Sequence, residues 1–203
     1  MKSTMKSPMT RSPMTRSPMT RSPMTRKPVS RAPQRQSTVR KSMGIRVKDL
    51  GHVVLYVRSL ERSVAFYRDV LGFRQIAPVP SGAGATTLRF PAAAFSSASG
   101  RTHHELLLIE VGQDAEAQPR GRRVGLYHIG LKVGDSDDEL RDALAGLHEA
   151  GVTITGASDH TVSHSLYILD PDGNELELYV DVPEADWRSD PSLVVSPIKP
   201  LRL

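Results

Sequence analysis

The sequence predicts an α+β fold in which two βαβββ modules form a curved, pseudo-symmetric mixed sheet. Three observations support this prediction. From about residue 46 onward the chain consists of short alternating strands, two amphipathic helices interrupt them, and the same order of elements occurs twice. Equivalent first strands begin at His52 and His128, which are 76 residues apart. A single module cannot bury one face of its sheet alone, so we expect the two modules to pack together.

The first module is expected over residues 46–120. Its first strand is "HVVLYV" (52–57), and its helix is "SLERSVAFYRDVLGF", which Gly72 is placed to end. Three further strands are expected in "FRQIAP" (73–78), "TTLRF" (86–90) and "HELLLIEV" (104–111). The stretch "PAAAFSSASG" between the last two is expected to be a loop because it contains Pro, Ser and Gly.

The second module is expected over residues 121–186. Its first strand is "YHIGLKV", and Ser136 and Glu139 have the spacing of a capping box at the start of the helix that Gly151 ends. The strands "VTITG", "SHSLYIL" and "ELELYV" follow. A C-terminal extension, residues 187–203, is expected to fold back over the mouth of the site or onto a partner subunit, with Trp187 as its anchor.

Composition limits the kinds of site that are available. The chain has 203 residues and no cysteine, so a disulfide framework is excluded and any metal must be held by His, Asp or Glu. No apolar run reaches the roughly 18 residues that a membrane span needs, and no apolar secretion segment is evident at the N-terminus. We therefore expect a soluble, cytoplasmic protein.

The basic charge is confined to an N-terminal tail, residues 1–45. Residues 1–48 contain 13 Lys and Arg and no Asp or Glu, which leaves the rest of the chain at a net charge of −8. Four copies of Ser-Pro-Met-Thr-Arg fill residues 7–26, and their prolines forbid a continuous helix or strand. We expect disorder, and no binding of nucleic acid or membrane, although a basic arm can bind either. A slipped tandem DNA repeat would also encode this pattern, so whether the tail is native stays open.

Three potential metal ligands share one face of the predicted sheet. The first strands have aliphatic residues on one face and His52 or His128 on the other, so both histidines point into the concavity if the aliphatic faces meet the helices. Glu177 points there by the same alternation. A lone strand histidine is more often a surface or core residue, but repeat-related placement favours a metal. Two imidazoles and a carboxylate are the ligands of a non-haem Fe(II) facial triad, and Zn, Mn or Ni can also use them.

The stretch "LDPDGN" predicts a tight turn that sets the register of the last hairpin. With a type I turn and a glycine bulge, Asp170 pairs with Asn174, and Tyr167 then lies opposite Glu177. A phenol at that position can donate a hydrogen bond to a metal-bound oxygen or a substrate oxygen. The alternative is a tyrosine that only packs in a barrel. Glu175, one pleat nearer the turn, is expected to be a solvated rim residue.

Other histidines are candidates for acid–base chemistry. His103 and His104 begin the last strand of the first module, at the position that corresponds to Glu177, so one of them should approach the cavity as a fourth ligand or as a general acid or base. By their surroundings alone His160 and His164 are expected to be exposed. His148 lies on the second helix and is expected to be solvated.

Several stretches resemble one known family. "GHVVLYVRSLERSVAFYRDVLGFR", "HHELLLIEVG", "LYHIGLKV" and "DHTVSHSLYILDPDGNELELYVD" look like the vicinal oxygen chelate superfamily, and within it the type I extradiol catechol dioxygenases, over about residues 46–190. The resemblance implies paired βαβββ modules around a metal. It also implies the site residues, which are the metal ligands His52, His128 and Glu177, the acid–base residue His104, and His160 and Tyr167 beside the bound oxygen or substrate. Val54 stands where some ring-cleaving relatives have Asn.

The resemblance implies an extradiol ring-cleaving dioxygenase with Fe(II), or Mn(II) in its place, acting on a catechol-type substrate with O2. We expect a homo-oligomer. Two alternatives stay open. A lyase, isomerase or transferase of the glyoxalase kind would use Zn or Ni as a Lewis acid, with Glu105 near the place of its fourth ligand. A metal-free small-molecule binding protein would lack the ligands that this chain has.

Overall fold

The two halves of the chain repeat one order of strands and helices. The computed structural model describes residues 45–76, 90–119 and 121–203. The expected tail, residues 1–45, lies outside the described residues except for its last position, and so do four of the five positions of the expected strand 86–90. None of the helices in this described part of the chain is long and apolar enough to cross a membrane.

The first half forms a mixed sheet with one helix. Its elements are β1 (Val53–Val57), α1 (Leu60–Ala65) with a π-helical turn after it (Phe66–Val70), β2 (Arg74–Gln75), β3 (Ala92–Ser96) and β4 (Leu106–Glu110). The strand order is β1-β4-β3-β2, with β1 parallel to β4 and the other pairs antiparallel. Ser59 caps α1 by accepting the N–H of Arg62, and Gly72 follows the π-helical turn with φ of 69°, as the sequence predicts.

The second half repeats this arrangement and adds a C-terminal strand. Its elements are β5 (His128–Gly134), α2 (Asp137–Glu149), β6 (Ile154–Asp159), β7 (Ser163–Leu169), β8 (Glu175–Asp181), a 3-10 helix (Pro191–Val195) and β9 (Lys199–Pro200). The strand order is β5-β8-β7-β6-β9, with only β5 and β8 parallel. The predicted capping box is confirmed, since the Ser136 hydroxyl accepts the N–H of Glu139 and donates to its carboxylate.

The strands form two sheets rather than the single curved sheet that we expected. The α+β class and the two βαβββ modules are confirmed, but within the described residues no ladder joins β1 to β5. Each of these strands is an edge strand with one neighbour, β4 or β8. Alternation of residue types shows which side chains share a face of a strand, but it does not show which edges pair.

Strand β3 occupies residues that we expected to be a loop. Alanine is depleted in strands, so "AAAF" gives a weak strand signal. The structure nevertheless pairs β3 with β4, and it buries Ala93 and Phe95 almost completely, at 1% and 0% exposure. Burial on the core face therefore outweighs the low propensity of alanine here. Strand β2 is shorter than expected, two residues where residues 73–78 were predicted.

One apolar core contains residues of both halves. In β1, Leu55 and Val57 are buried while Val54 and Tyr56 are exposed, as the alternation predicts. Val133 of β5 is an exception, because it belongs to the predicted aliphatic face and is still 36% exposed. The core includes Leu55, Val57, Tyr67, Phe95 and Leu108 from the first half and Leu140, Leu166, Ile168, Leu176 and Val180 from the second.

The β7–β8 turn is held by residues of the first half. The Tyr67 hydroxyl donates to Asp170 Oδ2 at 3.0 Å, and the Arg58 N–H donates to Asp172 Oδ2 at 3.2 Å. Arg62 donates to Pro171 O at 2.6 Å. The turn precedes Glu177 in the chain, and these contacts hold it against α1 and against the residues just before and just after α1.

The C-terminal extension folds onto the sheet of the second half. Strand β9 pairs with β6, so that Asp159 lies opposite Lys199, and Leu201 and Leu203 pack against the core. The role of Trp187 as an anchor stays a prediction, since its side chain is 41% exposed in the single chain and the Arg188 guanidinium lies over its ring. Leu201 and Leu203 therefore hold the end of the segment against the core.

Candidate active site

The β7–β8 hairpin brings a phenol to a carboxylate. Gly173 has φ of 89°, Asp170 N–H donates to Asn174 O, and Tyr167 pairs with Glu177 in the ladder. The predicted register is therefore confirmed. The Tyr167 hydroxyl donates to Glu177 Oε1 at 3.2 Å. Burial first, and the negative charge of Glu177 second, raise the pKa of Tyr167 well above its usual value, so the phenol stays protonated at neutral pH.

His128 lies on the other side of the same carboxylate. Strand β5 runs parallel to β8, and His128 Nε2 is 3.0 Å from Glu177 Oε2. Two of the three expected metal ligands are therefore together. A nitrogen and an oxygen donor at this separation are the kind of pair that a first-row divalent metal binds.

Ser165 is a site residue that the sequence reasoning missed. Its side chain is fully buried, and its hydroxyl donates to Glu177 Oε1 at 2.6 Å. Together with Tyr167 it fixes the orientation of the carboxylate. Ser165 is two residues from Tyr167 on one strand, so alternation alone places both on one face.

The β6–β7 turn places His160 beside the phenol. His160 Nε2 is 2.6 Å from the Tyr167 hydroxyl oxygen and 3.6 Å from Glu177 Oε1. Its own backbone N–H closes the turn by donating to Ser163 O. The side chain is only partly exposed, unlike the exposed histidine that its surroundings in the sequence suggested.

A second cluster of histidines lies at the first sheet. The ring of His52 is 4.4 Å from that of His104 and 6.0 Å from that of His103, and the Nδ1 atoms of His103 and His104 are 2.5 Å apart. Burial is the first cause that lowers the pKa of His104, and the charges of His103 and His52 lower it further. His104 is therefore neutral near pH 7 and can accept a proton.

The expected trio of His52, His128 and Glu177 is only partly assembled. His52 packs with His103 and His104, and among the described residues no group of three or more His, Asp or Glu side chains is arranged to hold a metal ion. The physical reason lies in the strands. His52 immediately precedes β1 of the first sheet and His128 begins β5 of the second, and in the described part of the chain no hydrogen-bond ladder joins these two strands.

Two glutamates differ from their expected surroundings. Glu175 is not a solvated rim residue, since its side chain is 26% exposed and lies next to His128. Glu105 accepts the Ser97 N–H at 2.6 Å and the Ser99 hydroxyl at 3.0 Å. Hydrogen bonding by the Ser97 side chain is the first cause that lowers the pKa of Glu105, and the Ser97 N–H lowers it further. Glu105 thus fastens the β3–β4 connection.

The remaining histidines lie away from Glu177. His164 is half-buried, and its Nδ1 is 2.6 Å from Asp137 Oδ1 at the start of α2, so the expectation that it is exposed is wrong. His148 is exposed on α2, as expected. A loop-like neighbourhood in the sequence did not reveal the pairing of His164 with a helix far away in the chain.

Comparison with known proteins shows the family to which the chain is similar. Residues 49–178 match the model of the Glyoxalase/Bleomycin resistance protein/Dioxygenase superfamily. The chain is 38% identical over 141 residues to a catechol-2,3-dioxygenase of Bacillus subtilis (strain 168), which covers 70% of this chain and 44% of that protein. It is 29% identical over 132 residues to a biphenyl-2,3-diol 1,2-dioxygenase 3 of Rhodococcus globerulus, which covers 65% and 63% respectively. The chain thus spans about half the length of these relatives.

Solved structures give the same fold. The crystal structure of a glyoxylase/bleomycin resistance protein/dioxygenase domain from Frankia sp. EAN1pec superposes with a TM-score of 0.55 at 23% identity, and covers 68% of this chain and 100% of that one. At this identity the likeness concerns the fold alone. The match to the family model extends over more than half of the chain, and with the paired βαβββ modules it shows that the protein belongs to the glyoxalase/bleomycin resistance protein/dioxygenase superfamily.

Proposed function

We propose that the protein is a metal-dependent extradiol dioxygenase that cleaves the ring of a catechol-type substrate with O2. The observation that carries this proposal is the arrangement around Glu177, whose two oxygens contact His128 and Tyr167, with His160 next to the phenol. The names of the relatives from Bacillus subtilis and Rhodococcus globerulus, both dioxygenases of aromatic diols, support it.

His128 and Glu177 supply two metal ligands, and His52 supplies the third. Neutral imidazoles and a carboxylate suit Fe(II), which is the metal that we propose, and Mn(II) can use the same ligands. Bound Fe(II) would supply the redox chemistry between the diol and dioxygen.

The protein residues around the metal bind the diol and move its protons. His104, which is neutral and packs against His52, accepts a proton from a substrate hydroxyl. Tyr167 stays protonated, and when substrate binds its hydroxyl turns from Glu177 Oε1 to donate its hydrogen bond to a substrate oxygen. His160, at 2.6 Å from the phenol oxygen, fixes the direction of that bond.

The environment of Glu105 favours ring cleavage over the glyoxalase-type alternative. That alternative needs a fourth carboxylate or amide ligand near the last strand of the first module. Glu105 is engaged by Ser97 and Ser99 instead, whereas His104 is beside His52. Turnover with Ni(II) or Zn(II) in the absence of oxygen would reverse this preference.

The test is to load the full chain with Fe(II) under anaerobic conditions and to add a panel of catechols with oxygen. We expect oxygen uptake and a yellow ring-opened product with at least one catechol. We expect His52→Ala and Glu177→Ala to lose bound iron, whereas His148→Ala, on an exposed helix position, keeps iron and activity. No uptake with any catechol, together with unchanged iron content in the two ligand variants, would overturn the proposal.

A further inference from the structure

Two buried polar atoms at the candidate site have no hydrogen-bond partner. They are His128 Nδ1 and Glu175 Oε1, and they lie 3.6 Å apart. This distance is too long for a hydrogen bond. Buried polar atoms in native proteins are nearly always paired, so an unpaired donor–acceptor set at contact distance requires an explanation.

The other nitrogen of the same ring provides one. His128 Nε2 is 3.0 Å from Glu177 Oε2, the second proposed metal ligand, so this nitrogen is the one placed to bind a metal. The opposite ring nitrogen, Nδ1, faces Glu175 at 3.6 Å.

We propose that Glu175 is a positioning residue that accepts a hydrogen bond from His128 Nδ1 when a metal binds Nε2. The inference rests on the proposed function only in requiring that a metal binds at His128 and Glu177. A metal bound at Nε2 leaves Nδ1 as the nitrogen that carries the ring proton, so that N–H can point to Glu175. Metal-bound histidines usually donate their second N–H to a carboxylate or carbonyl, which fixes the ring and strengthens the ligand.

The sheet places Glu175 for this role. Strands β5 and β8 are parallel neighbours, and His128 pairs with Glu175 in their register. Leu176 is fully buried in the core, so Glu175 and Glu177 share the opposite face of β8.

The test measures Co(II) binding to the metal-free full chain. Removing the carboxylate partner of a metal-bound histidine typically weakens metal binding about 10- to 100-fold, so we expect that loss in Glu175→Ala. Glu175→Gln, which retains an acceptor oxygen, should recover part of it. In proton NMR spectra of the Co(II) forms, the exchangeable N–H signal of His128 should weaken in Glu175→Ala because water reaches it. The matched control is Glu184→Ala, at an exposed position, which should match the wild type in both measurements.

Three results would overturn the inference. The first is a Co(II) affinity of Glu175→Ala within about twofold of the wild type, because removal of such a partner typically costs 10- to 100-fold. The second is a loss of Co(II) affinity as large as that of Glu177→Ala, which would make Glu175 a direct ligand. The third is that the wild type does not bind Co(II). The proposed function fails separately. Co(II) binding that depends on Glu175, without oxygen uptake by the Fe(II) form, would remove the dioxygenase and leave this inference standing.

Discussion

Tyr67 is the buried phenol through which the first half contacts the β7–β8 turn. Its side chain is 1% exposed, and its hydroxyl donates to Asp170 Oδ2 at 3.0 Å. Tyr67→Phe leaves that buried carboxylate with one donor fewer. We expect the free energy of unfolding to fall by about 1–3 kcal/mol, measured by urea denaturation. Tyr56→Phe is the matched control, because Tyr56 is 69% exposed, and it should change little. Equal effects of the two variants would contradict the prediction.

The same phenol predicts a loss of stability at alkaline pH. Burial first, and the negative charge of Asp170 second, raise the pKa of Tyr67 far above its usual value. Above pH about 10 the unfolded chain releases this proton and the folded chain keeps it, so folding is favoured less as the pH rises, by about 1.4 kcal/mol per pH unit for one proton. We expect the pH dependence of unfolding above pH about 10 to be shallower by one proton in Tyr67→Phe. An identical slope in both proteins would rule out a retained Tyr67 proton.

Single residues of the site differ in how far sequence predicts them. Tyr167 and Glu177 follow from counting outward from the turn, and the structure confirms their pairing. Ser165 follows from the same alternation, but a serine gives no chemical signal of its own. Glu175 could not be assigned, because alternation fixes the face of a strand and not the depth of burial on that face.

The β7–β8 turn is the element that sets the chemistry of the site. A glycine inserted after Gly173 shifts β8 by one residue against β7, and a one-residue slip moves every side chain to the other face. Glu177 then leaves Tyr167, and Leu176 takes a place on the site face. We expect loss of metal binding and of activity, measured by metal content and oxygen uptake.

An insertion elsewhere separates this effect from general damage. A glycine inserted after Glu184, at an exposed position beyond β8, changes the length of the chain but not the register of Glu177. It should retain metal and activity. Full activity of the variant with the longer β7–β8 turn would show that the register does not control the site.

Elements with strong alternation or caps were predicted well, and weakly patterned ones were not. Strand β7 has the predicted bounds, and α2 begins at the predicted cap, Ser136. Strand β3 was missed because its alanines carry no strand preference, and only its pairing with β4 reveals it. Local pattern therefore identifies elements whose side chains alternate, whereas pairing across the sheet decides the rest.

For the whole molecule, the repeated order of elements in the sequence predicts two modules, but it does not predict how the two modules pack against each other. The two sheets meet through the shared core and through the hydrogen bonds of Tyr67 and Arg58 to the β7–β8 turn. Among the described residues, β1 and β5 are edge strands that pair with a neighbour on one side only. The distance from His52 to His128 therefore depends on how the sheets pack, which no spacing in the sequence encodes.

The proposed metal predicts a change in that packing. A metal held by His52 together with His128 and Glu177 would join ligands from both sheets, so we expect its binding to change how the two sheets are placed against each other. The chain has no cysteine, so spin labels can be attached at Ala98→Cys and Ala145→Cys, two exposed positions in different halves. The distance between the two labels is measured by pulsed electron paramagnetic resonance before and after addition of Mn-free Zn(II). We expect Zn(II) to change the mean distance and to narrow the distribution of distances. His52→Ala should abolish the change while His148→Ala preserves it. A distance that is the same with and without metal in the wild type would mean that His52 is not a ligand.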